Sequence, residues 1–212
     1  MIYEVLTYDL KPGMVAELEK RFGEAYEHRR KYSELAAFWH SDIGPLNQVV
    51  HVWPYESIEE RARIRAAVRK DAKWPPNLRE LIVAARSEIA TPAPFSPPLK
   101  PGTMGPYFEI RTYTLAPGSL PLAIENWTRV LPGRLAVGPL CAVWYSEHVG
   151  LHRWTHIWPY SSLQARTEVR DKAAAAGVWP PNMIARKEGR PAESFVAQEN
   201  KIMMPAAFSP LK

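Results

Sequence analysis

His51-Val52-Trp53-Pro54-Tyr55-Glu56-Ser57 and His156-Ile157-Trp158-Pro159-Tyr160-Ser161-Ser162 are near-copies of one heptapeptide, set 156 − 51 = 105 residues apart. The same offset carries Tyr8 to Tyr113, Pro12-Gly13 to Pro117-Gly118, Trp39 to Trp144, Arg61 to Arg166, and Trp74-Pro75-Pro76-Asn77 to Trp179-Pro180-Pro181-Asn182, without a gap. A register held over that length is a tandem duplication. Repeats of roughly 20–50 residues build solenoids and propellers, whereas a unit this long can own a core, so a whole domain is duplicated. The tails repeat as well, Phe95-Ser96-Pro97-Pro98-Leu99-Lys100 against Phe208-Ser209-Pro210-Leu211-Lys212, now 208 − 95 = 113 residues apart. Repeat two therefore carries an insertion of 113 − 105 = 8 residues. Val83-Ala84 matches Val196-Ala197 at the wider offset, so the insertion lies between Asn182 and Val196, near 183–195. Its polar Arg186-Lys187-Glu188-Gly189-Arg190-Pro191 run predicts a surface loop. The domains are then 1–100, the first repeat with a Pro-rich tail; 101–106, a linker; and 107–212, the second repeat.

Within repeat one, Ile2 to Leu10 is rich in Tyr, Val, Ile and Thr and stops at Lys11-Pro12-Gly13, the pattern of a strand closed by a turn. Met14, Val15, Leu18, Phe22, Ala25 and Tyr26 then recur at helical spacing, through roughly Tyr32. Leu35 to Ser41 and Gln48 to Trp53 read as a hairpin around Gly44-Pro45, with Pro54 ending its second strand. Ser57 and Glu60 form a capping box for a second helix, whose stripe is Ile58, Ala62, Arg65 and Val68. Trp74-Pro75-Pro76 stops it, Leu81 to Ala90 is a fourth strand, and Thr91 to Pro101 is tail and linker. The order β-α-β-β-α-β is that of a ferredoxin-like α+β unit, an antiparallel sheet with both helices on one face. Strands such as Trp154-Thr155-His156-Ile157-Trp158 are apolar or aromatic at successive positions, which suits a sheet covered on both faces. Two tandem ferredoxin-like repeats are therefore expected to pair their sheets face to face as a barrel-like pseudo-dimer.

The chain has 27 Lys and Arg against 22 Asp and Glu, a net charge of +5. The basic residues alternate with acids along Glu17 to Arg30 and Glu56 to Lys73, which predicts solvated helix faces rather than a nucleic-acid groove. Cys141 is the lone cysteine, in the apolar setting Pro139-Leu140-Cys141-Ala142-Val143, and reads as a buried structural thiol. No signal peptide and no apolar run of about 18 residues is visible, so neither membrane insertion nor export is expected, and the location implied is cytoplasmic.

Gly44-Pro45-Leu46-Asn47-Gln48-Val49-Val50 running into the heptapeptide, with Glu4-Val5-Leu6-Thr7-Tyr8 and Lys11-Pro12-Gly13 before it, resembles the NIPSNAP family over most of each repeat. The resemblance implies a dimeric α/β-barrel fold, whose wider superfamily includes cofactor-free monooxygenases, lactone isomerases, haem-binding peroxidases and chlorite dismutases. For NIPSNAP proteins themselves it implies no established activity, with eukaryotic members linked to mitochondrial and vesicle-associated protein interactions. The family's Glu-x-Arg-x-Tyr strand is Glu4-Val5-Leu6-Thr7-Tyr8 in repeat one but Glu109-Ile110-Arg111-Thr112-Tyr113 in repeat two. The turn Gly44 to Asn47 becomes Val149-Gly150-Leu151-His152 in repeat two, so the halves have diverged.

By the two-residue period, Asn47, Val49, His51 and Trp53 share one strand face, as do His152, Trp154, His156 and Trp158. A buried imidazole beside indoles either acts as a general base near neutrality or hydrogen-bonds a neighbour, the commoner fate of buried polar groups. Residues four apart on a strand lie roughly 13 Å apart, so His152 and His156 cannot share one metal ion, and no bound metal or cofactor is expected. Arg111, on one face with Glu109 and Tyr113, either clamps a carboxylate or enolate or pairs with an acid of its own chain. Trp39, Trp144, Tyr55 and Tyr160 read as packing residues, and the Trp-Pro-Pro-Asn runs, with Asn77 and Asn182 as caps, as structural. Two functions stay open. One is a pocket between sheet and helices for a small aromatic or carbonyl metabolite, lined by His51, His156, Arg111, Glu109, Tyr113, Glu4, Tyr8, Asn47, Trp53 and Trp158. The other is a non-catalytic interaction module with a solid interior, whose outer helices or insertion contact a partner; strand edges and helices are in either case free to form a homodimer. A cofactor-free monooxygenase or isomerase is implied by the superfamily alone.

Overall fold

A computed structural model describes residues 1–148 and 150–212. The chain divides into two compact units, one of residues 1–91, 99–103 and 201–212, the other of 92–98 and 104–200. Val149, the first residue of the Val149 to His152 run, lies outside the described residues.

The first unit is built from β1 (Ile2–Leu10), α1 (Val15–Arg30), β2 (Ala37–Ile43), β3 (Gln48–Tyr55), α2 (Ile58–Val68) and β4 (Ile82–Pro92). Its sheet order is β4-β1-β3-β2, every neighbour antiparallel, which is the ferredoxin-like arrangement. The α1 stripe buries Leu18 and Phe22 against Phe38, Val49 and Trp53 of the sheet. The second unit is built from β5 (Tyr107–Leu115), α3 (Ser119–Leu135), β6 (Ala142–Ser146), β7 (Arg153–Tyr160), α4 (Leu163–Ala175), α5 (Pro181–Lys187) and the first part of β8 (Phe195–Pro205), whose residues from Lys201 on belong to the first unit. Its order, β8-β5-β7-β6, repeats that of the first. Here α3 lays Leu120, Ala123, Trp127 and Leu131 on the sheet. Side chains of β3 and β7 are buried on both faces, so these strands read as continuous apolar runs rather than alternating ones.

Four local expectations change. Pro54 does not end β3, which continues to Tyr55. The β2 ladder starts at the Ala37 and Val52 pair, so Pro54 is flanked by β1 alone and its missing N–H costs no bond on the other side. On α2, Ser57 caps as expected by accepting the Glu60 N–H, but the buried residues are Ile64 and Val68, while Ile58 is 46% exposed. Arg61 and Arg65 turn towards the sheet because Glu4, a carboxylate 1% exposed, lies beneath them. The basic residues of these helices are therefore not all solvated, and Arg29 of α1 is buried too. The predicted insertion loop begins as α5, for which Pro181 at the first helical positions is pre-organised, and only then becomes irregular.

The tails are not linkers in the packed molecule. Phe208 stacks on Phe22 at 5.6 Å and meets Phe38 at 4.9 Å within the first unit, whose β2 also pairs His40 with Met204. Phe95 stacks on Trp127 at 6.2 Å within the second. Each compact unit thus takes in the tail that sequence attaches to the other repeat.

Candidate functional site

The alternation along β3 points Val49, His51 and Trp53 at α1, and that along β7 points His156 and Trp158 at α3. Cross-strand register sets Leu6 opposite His51 and Arg111 opposite His156, so the position at which the repeats differ adjoins the one they share. Each histidine accepts an indole N–H at Nδ1, from Trp53 at 2.7 Å and from Trp158 at 2.6 Å. An indole only donates, so the imidazole proton sits on Nε2, which has no partner among the described residues in either repeat. Burial lowers the pKa of His51 to about 3, and burial followed by Arg111, Arg170 and Arg134 holds His156 well below its ordinary range. With one nitrogen accepting and the other already protonated, neither ring has a lone pair left for general-base work. Both are neutral hydrogen-bond donors.

Behind each histidine lies a buried carboxylate held by arginines. Glu4 accepts from Arg61, from Arg65 at 2.7 Å and from Ser87 at 2.9 Å. Glu109 accepts from Arg166 at 2.6 Å and Arg111 at 3.1 Å, with Arg170 at 3.8 Å. Burial pushes both carboxyls upward, yet the guanidinium partners outweigh it and keep both below the usual carboxylate range. Arg111 bridges the set, since its Nε donates to Tyr113 Oη at 2.8 Å. A second buried guanidinium in each repeat lies over the strand indole, Arg29 at 4.2 Å from the Trp53 ring centre and Arg134 at 4.0 Å from Trp158. Arg29 also donates to Tyr55 Oη at 2.8 Å.

A cavity opens between sheet and helices in each unit. The first, about 270 Å³, is lined by Glu4, Leu6, Tyr8, His51, Trp53 and Arg65 among others. The second, about 350 Å³, is lined by Arg111, Tyr113, Trp127, Arg134, His156 and Trp158, with Arg170 and Glu193 also in its wall. The sequence candidates thus gather in two places. Glu109 stands behind Arg111 rather than on the surface of the cavity. Asn47 is apart from both: its φ of 53° makes a left-handed turn, and its Oδ1 accepts from Gly13 N at 3.0 Å.

Sequence reasoning missed several wall residues. Tyr55, Tyr160 and the Trp-Pro-Pro runs, read as packing or helix stops, line the cavities, and Asn182 sits in the first turn of α5 rather than capping an earlier helix. Arg29 with Arg134 and Arg65 with Arg170 also keep the 105-residue offset, the signal that could have singled them out. Trp39 and Trp144 are core residues, and Cys141 is a buried thiol whose pKa burial pushes up to about 12. Among the described residues no three His, Cys, Asp or Glu side chains form a metal-binding group, and no helix is long and apolar enough to cross a membrane.

The NIPSNAP family model matches residues 3–97 and again 108–210, one match per repeat. Human Protein NipSnap homolog 3A is 30% identical over all of this chain and 86% of its own length. A solved NIPSNAP family protein of unknown function from Agrobacterium tumefaciens is 37% identical, covering 46% of this chain and 92% of that one, with a TM-score of 0.44. A Lactobacillus acidophilus structure, provisionally described as a monooxygenase, is only 8% identical but covers 97% of this chain and 94% of its own with a TM-score of 0.67. That likeness speaks for the fold alone, and the fold is the α+β one of dimeric α/β-barrel proteins. Two family matches over nearly the whole length make this chain a member of the NIPSNAP family, with two repeats of the family's domain.

Proposed function

We propose that this chain binds a small aromatic carboxylate, or the related enolate, in the second cavity. The observation that carries this reading is the charge imbalance there: Arg111, Arg166 and Arg170 converge on the single carboxylate of Glu109, and Arg134 lies over Trp158. One carboxylate cannot neutralise that many guanidiniums, so an anion entering the cavity meets an excess of positive charge in a partly desolvated wall. The remaining wall suits a flat ring. Trp127, Trp158 and Trp179 meet one another at 4.7 to 6.4 Å between ring centres, and Tyr113 sets its ring edge-on to His156 at 5.0 Å. The Nε2 proton of His156, without a partner, is a neutral donor for a carbonyl oxygen. A volume of about 350 Å³ accommodates such a ligand. A cavity in each repeat also supports binding over a solid interaction module.

Titration calorimetry with phenylacetate and phenylpyruvate tests the proposal. Binding of either, weakened about tenfold by Arg111→Met, is expected, because a charge-assisted hydrogen bond contributes roughly 1.5–3 kcal/mol and about 1.4 kcal/mol is a factor of ten. Equal affinity in the wild type and the variant, or no binding of either acid, would sink it.

A further inference from the structure

Glu193 and Glu80 occupy equivalent positions, 193 − 80 = 113 residues apart, and so do Asn126 and Arg21, 126 − 21 = 105 apart. In repeat one this pair is a surface ion bridge: Arg21 binds the half-exposed Glu80, whose carboxyl is held below its ordinary range. In repeat two the arginine is gone. Asn126 Nδ2 donates to Glu193 Oε2 at 2.8 Å, Arg190 from the insertion binds Asn126 Oδ1 at 2.8 Å instead of the carboxylate, and Glu193 is fully buried. Its Oε1 has no partner among the described residues, and burial raises its pKa against the weaker opposing pull of Asn126, Arg186 and Arg190. The cations on the cavity side are Arg111, Arg134 and Arg170, with His156 neutral. A buried carboxyl that has lost its ion-pair partner costs stability, and this one forms part of a cavity wall.

We propose that Glu193 is the acid–base residue of the second cavity, exchanging a proton with an enolisable carbonyl compound that bears an aromatic ring and a carboxylate. The proposal rests on the reading that this cavity binds an aromatic carboxylate. The Glu193 carboxylate takes the proton from the carbon beside the carbonyl. The C–H electron pair becomes the enolate C=C bond, and the carbonyl π pair moves to oxygen, for which His156 Nε2–H and Arg111 are the donors. Return of a proton from Glu193 to the same carbon restores the ketone, so the cycle consumes no oxidant, reductant or co-reactant. Repeat one, whose equivalent carboxylate is tied to Arg21 at the surface, lacks the group.

Phenylpyruvate in deuterated buffer supplies the test. Loss of its C3 protons is followed by NMR, against the uncatalysed rate in buffer, with binding measured in parallel by calorimetry. The wild type is expected to accelerate exchange at least about tenfold, with a pH profile governed by one ionisation. Glu193→Gln, whose amide oxygen can still accept from Asn126, should bind phenylpyruvate but exchange it at the buffer rate. Glu193→Asp, which keeps the charge in case the amide variant fails to fold, should retain part of the acceleration, and Glu80→Gln should match the wild type. Binding without accelerated exchange, or equal exchange by the wild type and Glu193→Gln, overturns the proposal while sparing the binding reading. No binding of phenylpyruvate or phenylacetate overturns both.

Discussion

His51 and His156 show how a residue can be legible in sequence while its role is not. Their recurrence marks them, but the indole at i+2 that consumes Nδ1 becomes visible only when ring orientations are known. A consequence is testable through acid stability. Both folded-state pKa values lie below the unfolded value of about 6.5, so the unfolded chain binds protons that the folded chain does not. Stability is therefore present above about pH 6.5 and falls as pH drops towards 3, with a slope approaching ~1.4 kcal/mol per pH unit for each histidine. His40, raised by its bond to Glu19 at 2.7 Å, acts in the opposite sense and only above the unfolded value. Glu4 and Glu109 add their own loss only as pH falls through the ordinary carboxylate range and below, and Glu193, raised by burial, acts in the opposite sense just above that range. Urea denaturation from pH 7 to 5 should show this slope in the wild type and a shallower one in the His51→Asn, His156→Asn double variant. An unchanged slope would mean that the histidines are not neutral in the folded protein.

At the scale of elements, helix stripes, turns and the four-strand order are local patterns, and they were readable. Which face of α2 turns inward was not, because Arg61 and Arg65 answer to Glu4 on a strand 57 and 61 residues away. The tails were hidden for the same reason: nothing near Phe208 in sequence announces that it stacks on Phe22. Gly23 on α1 exposes the tightness of that contact, since a Cβ there would lie 2.8 Å from the Phe208 ring. Gly23→Ala should destabilise by roughly 1–3 kcal/mol although Ala is the better helix former by about 1 kcal/mol. In a Phe208→Ala background the same change should be neutral or stabilising. Denaturation of the four proteins in a double-mutant cycle reads this coupling, and additive effects would contradict the packing described.

At the scale of the whole molecule, duplication supplied two cavities and divergence made them unequal. Leu6 stands where Arg111 does, and Glu80 is paired at the surface where Glu193 is buried. Calorimetry with phenylacetate should therefore give one site per chain, and Leu6→Arg should add a second, because Glu4 and Tyr8 wait at the positions of Glu109 and Tyr113. Two equal sites in the wild type would refute the asymmetry. Duplication, the β-α-β-β-α-β order common to both repeats, the ferredoxin-like α+β class and family membership were determined by the sequence alone, since periodicity, turn residues and a constant offset are properties of the chain taken in order. The tertiary structure alone decided which arginines converge on Glu109, which histidine nitrogen carries the proton, where the tails pack and that Glu193 is buried. Those features depend on burial and on distances between residues far apart in sequence, and charge pairing and protonation follow from them.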